Sequence, residues 1–583
     1  MCGIAGKIFF GNKDVDKSEE LPLIKKTLSM LYHRGPDDEG YIIDRNVWLG
    51  ATRLAILDLS SAGYQPLVNE DKSLYLVFNG EIYNYLELKD KLKGRHKFKS
   101  QTDSEVLLHL YEDYGVECLK YLRGMFAFAI WDRRKRELFI ARDRLGKKPV
   151  KYYYNDKFFI FASELKAFID HPNVPKEVDP IAIDLFLKMG YLPSPKTGFK
   201  HIHKLPPGHY LLVRPNRDVV VKRYWKYDFN ERDDWTENEW KQVIEEKLIE
   251  SVKFRLRSDV PLGIHLSGGI DSGIITALSS SISKKRMTTV SAGFDEPFYD
   301  ELPYAKKIAN IFNTHHHEVI IRPDIIELLP KIVYQFEEPF ADPSMLPTWL
   351  LMQESRKHFT VVLNGEGGDE CFAGYPWYQM MKVYSFIKPQ QARNLIIGLL
   401  KYLYFFTHYK DFDTFAKYLA VLNEDKINNS IIKKMLEDLR VYLPDDLLVK
   451  TDITSMANSL EVRSPFLDQE FIELAAQIPL NLKLKGFQTK YILKKIALKY
   501  MPKDLVFRRK KGFLPPLDEW FRNKLSVYIN RELSDKRFNK LKIVSDINIQ
   551  KLIDNHLFYR SNNAEILWRL LCLNKWFEVW IDN

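Results

Sequence analysis

The chain has 583 residues, 45% of them hydrophobic and 28% charged, with a formal charge of +10 from 87 basic and 77 acidic side chains. That length exceeds a single compact core, so two or more domains are expected, and the composition is that of an ordinary soluble globular protein. The positive balance is dispersed, with "RRKRE" (133–137) and "RRKK" (508–511) the densest clusters; without a basic stripe or a recognition module no nucleic-acid partner is expected, and bound phosphates account for the charge.

The chain opens "MCGIAG". A cysteine at the extreme terminus has little chain around it to pack against, so a structural role for Cys2 is not expected. Once Met1 is removed, the same residue carries a thiol and a free α-amine, which titrate near ~8.5 and ~8. One residue then supplies both nucleophile and base. "MCGIAGKIFF" is too short an apolar run for a signal peptide, and charged "GNKDVDKSEE" follows directly. Cys2, Cys118, Cys371 and Cys572 have no zinc or disulfide spacing, which fits a reducing, cytoplasmic location.

Up to about residue 225 the texture is β-rich. Short runs such as "LYLVF", "MFAFAIWD", "ELFIARD" and "FFIFAS" alternate with turn-like segments, as in antiparallel meanders. Helical patterns interrupt at 21–32 and 104–114. Polar elements fall at strand ends or turns: "HRGPDDEG" (33–40), "TRLAILDL" (52–59), "FNGEIYN" (78–84) and "TDSE" (102–105). Each alone is an ordinary loop, hairpin turn or helix start.

Together with Cys2, these segments resemble the class II glutamine amidotransferase domain over residues 2–215. The resemblance implies an N-terminal-nucleophile (Ntn) αββα sandwich that hydrolyses the glutamine amide. Cys2 would be the nucleophile, and the Asn79 side chain with the Gly80 backbone N–H would form the oxyanion hole. Arg53 would grip the glutamine α-carboxylate. Asp103 would hold the α-ammonium with Glu81 assisting, and Gly3 would leave room beside the thiol.

Residues 216–239 are expected to be a linker, and from 240 to 583 longer helical patterns alternate with apolar strands. "VPLGIHLSGGIDSGIITALSS" (260–280) predicts strand, glycine-rich turn and helix, which aims backbone N–H groups and a helix N-terminus at an anion. It lacks the Walker lysine. "SGGIDS" resembles the pyrophosphate loop of ATP pyrophosphatases. By that resemblance Ser267, Gly268, Gly269 and Ser272 cradle pyrophosphate and Asp271 ligates Mg²⁺.

His315, His316 and His317 are adjacent, unlike helical metal pairs, and a structural role is expected. "TVVLNGEGGDECFAGY" (360–375) ends a further strand in a glycine- and acid-rich loop. The apolar "NLIIGLLKYLYFF" (394–406) is interrupted by Lys401 and shorter than a bilayer span, so a buried helix and no membrane attachment are expected.

The order SGGIDS, NGEGGDE, SLEVRSPFLD, RKKGF resembles the glutamine-dependent asparagine synthetases over essentially the whole chain. The implied fold is α/β multidomain: the Ntn sandwich followed by a parallel-sheet, ATP-pyrophosphatase-like domain with helical additions. The implied reaction uses ATP, Mg²⁺ and glutamine to amidate a carboxylate acceptor, aspartate first and a uronic-acid sugar as the alternative. Ala292, Asn364 and Gly365 would line the nucleotide pocket. Glu366 and Asp369 would sit at the acyl-adenylate, Asp369 as a further Mg²⁺ ligand, and Lys510 would neutralise phosphate charge. A homodimer is the default assembly. His265 and Gly273 depart from the usual pattern, where an apolar residue and a second serine are common.

Overall fold

The computed structural model describes residues 2–11, 14–386, 429–509, 512–534 and 548–582. Its N-terminal half contains β1 (Cys2–Phe9), α1 (Lys17–Leu31), β2 (Asp38–Asp44), β3 (Val47–Arg53), β4 (Leu67–Val68), β5 (Leu74–Ile82), α2 (Tyr85–Leu92) and α3 (Asp103–Tyr114). There follow β6 (Gly124–Asp132), β7 (Glu137–Arg142), β8 (Lys151–Tyr154), β9 (Phe158–Ala162), α4 (Pro180–Met189), β10 (His203–Lys204), β11 (His209–Val213) and β12 (Val219–Arg223). The strands form two six-stranded sheets, ordered β10-β8-β9-β1-β3-β2 and β12-β11-β7-β6-β5-β4. Both are antiparallel throughout.

The layering follows from side-chain alternation along strands apolar on both faces. Ile4, Ile8, Leu49 and Ala51 of the first sheet meet Val77, Ala129, Ile140 and Leu211 of the second in one core. On the outer faces, Ile24, Leu28 and Leu31 of α1 join Trp48 and Ile160, while Val106, Leu107 and Tyr111 of α3 join Phe78, Phe128 and Phe139. The result is an αββα sandwich. The helix starts are set locally: Asp16 accepts from the Ser18 N–H ahead of α1, and Thr102 accepts from the Glu105 N–H ahead of α3. β12 extends the second sheet to Arg223, inside the stretch expected to be linker.

The second half opens with α5 (Glu237–Arg255), whose start carries a Thr236/Glu239 capping box. It continues through β13 (Leu262–His265), α6 (Ile270–Ile282), β14 (Thr288–Phe294), α7 (Leu302–Ile311), β15 (His315–Ile321), α8 (Leu329–Phe336), α9 (Met345–Arg356), β16 (Val361–Leu363) and β17 (Glu461–Arg463). The strands form a wholly parallel sheet in the order β15-β14-β13-β16-β17. Trp240, Ile244 and Leu248 of α5 pack with Ile274, Ile275 and Leu278 of α6. Met352 of α9 packs with Val290, Val362 and Val462 of the sheet.

The chain leaves β13 to one side for β14 and β15, then returns to the other side for β16 and β17. The crevice between β13 and β16, at the strands' carboxyl ends, is thus the topological switch point where α/β sheets bind ligands. Helices at Leu448–Met456, Gln469–Gln477, Tyr491–Ala497 and Ala564–Phe577 are among those that follow in this half. No described helix is long and apolar enough to cross a membrane; residues 394–406 lie outside the described residues.

The halves are joined by buried charge pairs. Arg34 reaches Glu164 at 2.6 Å and Asp452 at 2.9 Å, and Lys148 also meets Asp452 at 3.0 Å. Arg123 and Arg255, one from each half, share Asp468, both at 2.9 Å. Pairs this buried contribute little net stability against apolar replacements, but removing one partner leaves an uncompensated charge and costs ~3–5 kcal/mol. They hold the halves in one register.

Candidate active sites

Strand pairing assembles the first site. Cys2 lies opposite Arg53 in the β1–β3 register, and the facing sheet presents Asn79 in the middle of β5. Against the expectation for a terminal residue, Cys2 is only 5% exposed. Its backbone N–H donates to Asn79 Oδ1 at 3.1 Å. The Asn79 amide group, Nδ2, is buried and has no hydrogen-bond partner. An unused buried donor is costly unless something else accepts from it, and beside a thiol that acceptor can be an oxyanion. The Gln65 amide approaches the Cys2 sulfur at 3.6 Å. Gly80 is obligatory, since a Cβ there would stand 2.2 Å from the Met125 carbonyl oxygen.

Arg53 is held by three carbonyls, those of Leu57 (3.1 Å), Asp58 (2.6 Å) and Ser60 (3.3 Å), which leaves its guanidinium directed but without a carboxylate partner among these contacts. Asp103, the first residue of α3, accepts from the Ile82 N–H at 2.7 Å. Burial pushes its carboxyl up to about 6. Glu81 is buried beside it and pairs with Arg463 of the second half at 3.3 Å; burial pushes Glu81 well above the usual carboxylate range, with the Asp103 charge adding to the shift. Two carboxyl groups in one dry pocket invite a cation. Burial likewise pushes the Cys2 thiol up, so a nearby base is needed to form thiolate at neutral pH.

At the second site, the loop from β13 into α6 is organised around one hydroxyl. Ser272 Oγ accepts from the Ser267 N–H at 3.1 Å, meets Ser267 Oγ at 2.9 Å and donates to the Ser267 carbonyl at 3.1 Å. Gly269, at the α6 N-cap, accepts nothing through a side chain, which leaves the first turn's N–H groups facing outward. Across the switch point, the loop after β16 comes so near that a Cβ on Gly365 would lie 2.8 Å from the Ser272 nitrogen. Asn364 accepts from Ser464 Oγ at 2.7 Å. Ala292 lies near the carboxyl end of β14, two residues past Val290, which pairs with His265.

Asp271 and Asp369 converge on Lys490, whose Nζ lies 2.5 Å from one and 2.7 Å from the other. Glu366 accepts from Thr451 Oγ1 at 2.6 Å, and loss of hydration raises its carboxyl. Lys450 reaches Asp342 at 2.5 Å and Ser344 at 2.7 Å. Glu366 and the buried Asp446 lie within its electrostatic reach.

A profile of the asparagine synthase family matches residues 243–581, and one of the glutamine amidotransferase domain matches residues 1–225. The chain belongs to the asparagine synthase family. Asparagine synthetase [glutamine-hydrolyzing] 1 of Bacillus subtilis (strain 168) is 32% identical over 100% of this chain and 97% of its own length. A putative asparagine synthetase 2 of Methanocaldococcus jannaschii is 41% identical over 64% of this chain and 76% of its own. The amidase chyE of Penicillium rubens is 28% identical over 89% of each. The protein is thus a carbon–nitrogen ligase of the glutamine-hydrolysing asparagine synthase type, which takes nitrogen from glutamine in an ATP-dependent reaction.

In this asparagine synthase the structure brings Cys2, Arg53, Asn79, Gly80, Glu81 and Asp103 into one pocket region, and Ser267 to Ser272, Asn364, Gly365, Glu366 and Asp369 into another. Lys510 lies outside the described residues. Sequence reasoning missed Lys490. Its only trace is a lysine inside "TKYILKK", but its backbone is left-handed at φ 52° and is pinned by an N–H bond to the Phe372 carbonyl at 3.1 Å. A non-glycine residue held there is a mark of a constrained site. Arg508 was also missed; it pairs with Glu301 and stacks 4.4 Å over Tyr304, beside Gly268.

The two departures have packing causes. A Cβ at Gly273 would stand 2.5 Å from Met501 Sδ, so a serine there requires Met501 to move. His265 is buried, meets Ser355 Oγ at 2.9 Å, and is pushed down to about 3 by burial, so it packs as a neutral ring.

Proposed function

We propose that this enzyme converts aspartate to asparagine through an aspartyl-adenylate, releasing glutamate, AMP and pyrophosphate. The observation that carries the choice of acceptor is the charge balance around Lys450. Asp342 pairs with that one ammonium, and Asp446 and Glu366 lie in its electrostatic reach. Burial holds both of these above the usual carboxylate range, Asp446 well above it with the Asp342 charge adding to the shift, and Asp446 Oδ1 and Glu366 Oε2 have no hydrogen-bond partners. An incoming α-ammonium would let these carboxyl groups ionise, which suits an amino acid as acceptor and not a uronic-acid sugar.

In the first half, the α-amine of Cys2, freed by removal of Met1, takes the thiol proton. The sulfur attacks the glutamine amide carbon, and Asn79 Nδ2 with the Gly80 N–H stabilises the oxyanion. The proton then passes to the departing ammonia, leaving a γ-glutamyl thioester. Water, giving its proton to the same amine, attacks that thioester, and glutamate leaves as the Cys2 thiol is restored. Arg53 holds the α-carboxylate, and Asp103 with Glu81 the α-ammonium. Ammonia then crosses between the halves, where Leu54, Ile56, Tyr83 and Met125 of one and Val361 and Met456 of the other form a buried, mostly apolar cluster.

In the second half, the acceptor carboxylate attacks the α-phosphorus of ATP and pyrophosphate leaves. Ser267, Gly268, Gly269 and Ser272 hold the departing group, with Ala292, Asn364 and Gly365 around the nucleotide. Asp271 and Asp369 fit Mg²⁺, because both already converge on a single cation, Lys490 Nζ, and this ion is commonly bound by one or two carboxylates plus phosphate oxygens. When bound, Mg²⁺ supplies charge neutralisation at the pyrophosphate. Lys490 and Lys510 add positive charge on the protein side. Ammonia finally attacks the acyl carbon and displaces AMP.

The test is purified enzyme with ATP, Mg²⁺ and glutamine over a panel of carboxylic acids. Aspartate should raise pyrophosphate release in step with asparagine. Silence with aspartate and turnover of a uronic acid would transfer the assignment to the sugar.

A further inference from the structure

Four side chains from three segments of the N-terminal half converge beside α3. Glu70 comes from the turn between β4 and β5, His96 from the loop after α2, and His109 and Glu112 from α3 itself. One donor atom of each lies within 4.8 Å of all the others. His109 Nδ1 is 3.4 Å from Glu112 Oε2 and 3.8 Å from Glu70 Oε2, and His96 Nδ1 is 3.6 Å from Glu112 Oε2. These separations are long for hydrogen bonds. They approach the ~3.4 Å edge of a tetrahedron built on metal–ligand bonds of ~2.0–2.1 Å.

The outward atoms of His96, Glu112 and Glu70 are already engaged. His96 Nε2 meets Asp113 Oδ1 at 3.0 Å, the Asn69 amide donates to Glu112 Oε1 at 3.1 Å, and the Lys97 N–H donates to Glu70 Oε1 at 2.9 Å. A carboxylate behind a histidine, and donors behind the ligating carboxylates, are the supports that orient metal ligands. His109 is 1% exposed, with Nδ1 turned to Glu112 and Glu70 and Nε2 4.0 Å from Glu105 Oε1.

We propose that Glu70, His96, His109 and Glu112 bind a zinc(II) ion. Two neutral imidazoles and two carboxylates balance a divalent charge, and a four-donor nitrogen–oxygen set favours zinc over Mg²⁺, which demands an octahedron of oxygens. The two rings stack 4.4 Å apart at 28°, and a tetrahedral ion requires them to splay by side-chain rotation. The ion would tie the β4–β5 turn and the loop around His96 to α3, the helix that begins with Asp103.

The test uses the full-length protein, stripped with a chelator and titrated with zinc(II), then with cobalt(II) as a spectroscopic probe. One zinc per chain should survive gel filtration, raise the thermal unfolding midpoint, and be replaced by cobalt with the intense visible bands of four-coordination. Because His109 is buried, the variants are His96→Gln and Glu112→Gln, which should lose retained zinc, and Asp113→Asn, which should weaken binding ~10–100-fold. Asp271→Asn should retain it, separating this site from the nucleotide loop. The proposal is overturned by absence of saturable zinc binding at micromolar free ion, by undiminished retention in both ligand variants, or by the weak bands of six-coordinate cobalt.

Discussion

Asp103 gives the proposed glutamine pocket an acid-side pH dependence. Its carboxyl sits at about 6, up from 3.8, chiefly through burial, and only the ionised form can hold an ammonium. For glutamine hydrolysis kcat/KM should therefore fall as the Cys2 α-amine protonates, from ~8 downward, and steepen further below about 6 as Asp103 protonates. Asp103→Asn should abolish that steepening and raise KM, leaving the α-amine limb; a profile unchanged in the variant would remove Asp103 from the role. The sign for stability is opposite to that of a salt-bridged carboxylate. A raised folded-state value means that the ionised group opposes folding above pH 6, and that protonation between about 6 and 3.8 relieves the cost. Lys490 poses the converse case, a cation whose removal leaves Asp271 and Asp369 facing each other. Lys490→Met should lower acceptor-dependent pyrophosphate release by ~10²–10³, the range for losing one electrostatic stabiliser, and spare glutaminase activity in the same preparation. Equal loss of both would mean a folding defect.

At the scale of elements, the β13–α6 turn, the proposed anion cradle, takes its shape from Ser272. Its hydroxyl makes three contacts to Ser267, each worth ~1 kcal/mol in net terms. Ser272→Ala should raise KM for ATP by ~tenfold, equivalent to ~1.4 kcal/mol, with little change in thermal midpoint, since α6 stays packed through Ile274, Ile275 and Leu278. Initial rates over an ATP series decide it; an unchanged KM would show that the loop is shaped by its glycines alone. The strand, turn and helix of this element were legible in advance because they are contiguous, and each residue's conformation follows from its neighbours. The same holds for the strands of the sandwich and for α3, whose cap is written in "TDSE". The edge strand β12 was not legible. Its pairing partner β11 is set by a hairpin, but nothing local marks where the sheet stops and the linker begins.

For the whole molecule, the division of labour is between two halves locked by buried charges. Cys2→Ala should lose glutaminase activity completely, yet still adenylate its acceptor, because Asp271, Glu366, Asp369 and Lys490 lie in the other half. Ammonium at a pH that provides free NH₃ should restore amide formation. Product from glutamine alone would refute Cys2 as nucleophile, and failure with ammonium in a folded protein would refute the separation of the reactions. Retention of Met1 should mimic the substitution, since the α-amine is then an amide; mass spectrometry of the N-terminus beside the activity measurement tests this.

What the sequence determined by itself was everything carried by contiguous residues: two halves of different texture, the cysteine at the start, the glycine-rich turn from β13 into α6, the acid-rich loop after β16, and through them the family. What only the tertiary structure decided was convergence through space. Lys490 reaches Asp271 across more than two hundred residues, Arg463 reaches Glu81 across the joint, and Glu70, His96, His109 and Glu112 meet from three segments. The physical reason is that hydrogen bonds and ion pairs act over a few ångströms, whereas the chain sets only local directions. Which distant charges come within that range is settled by how the apolar faces of sheets and helices pack.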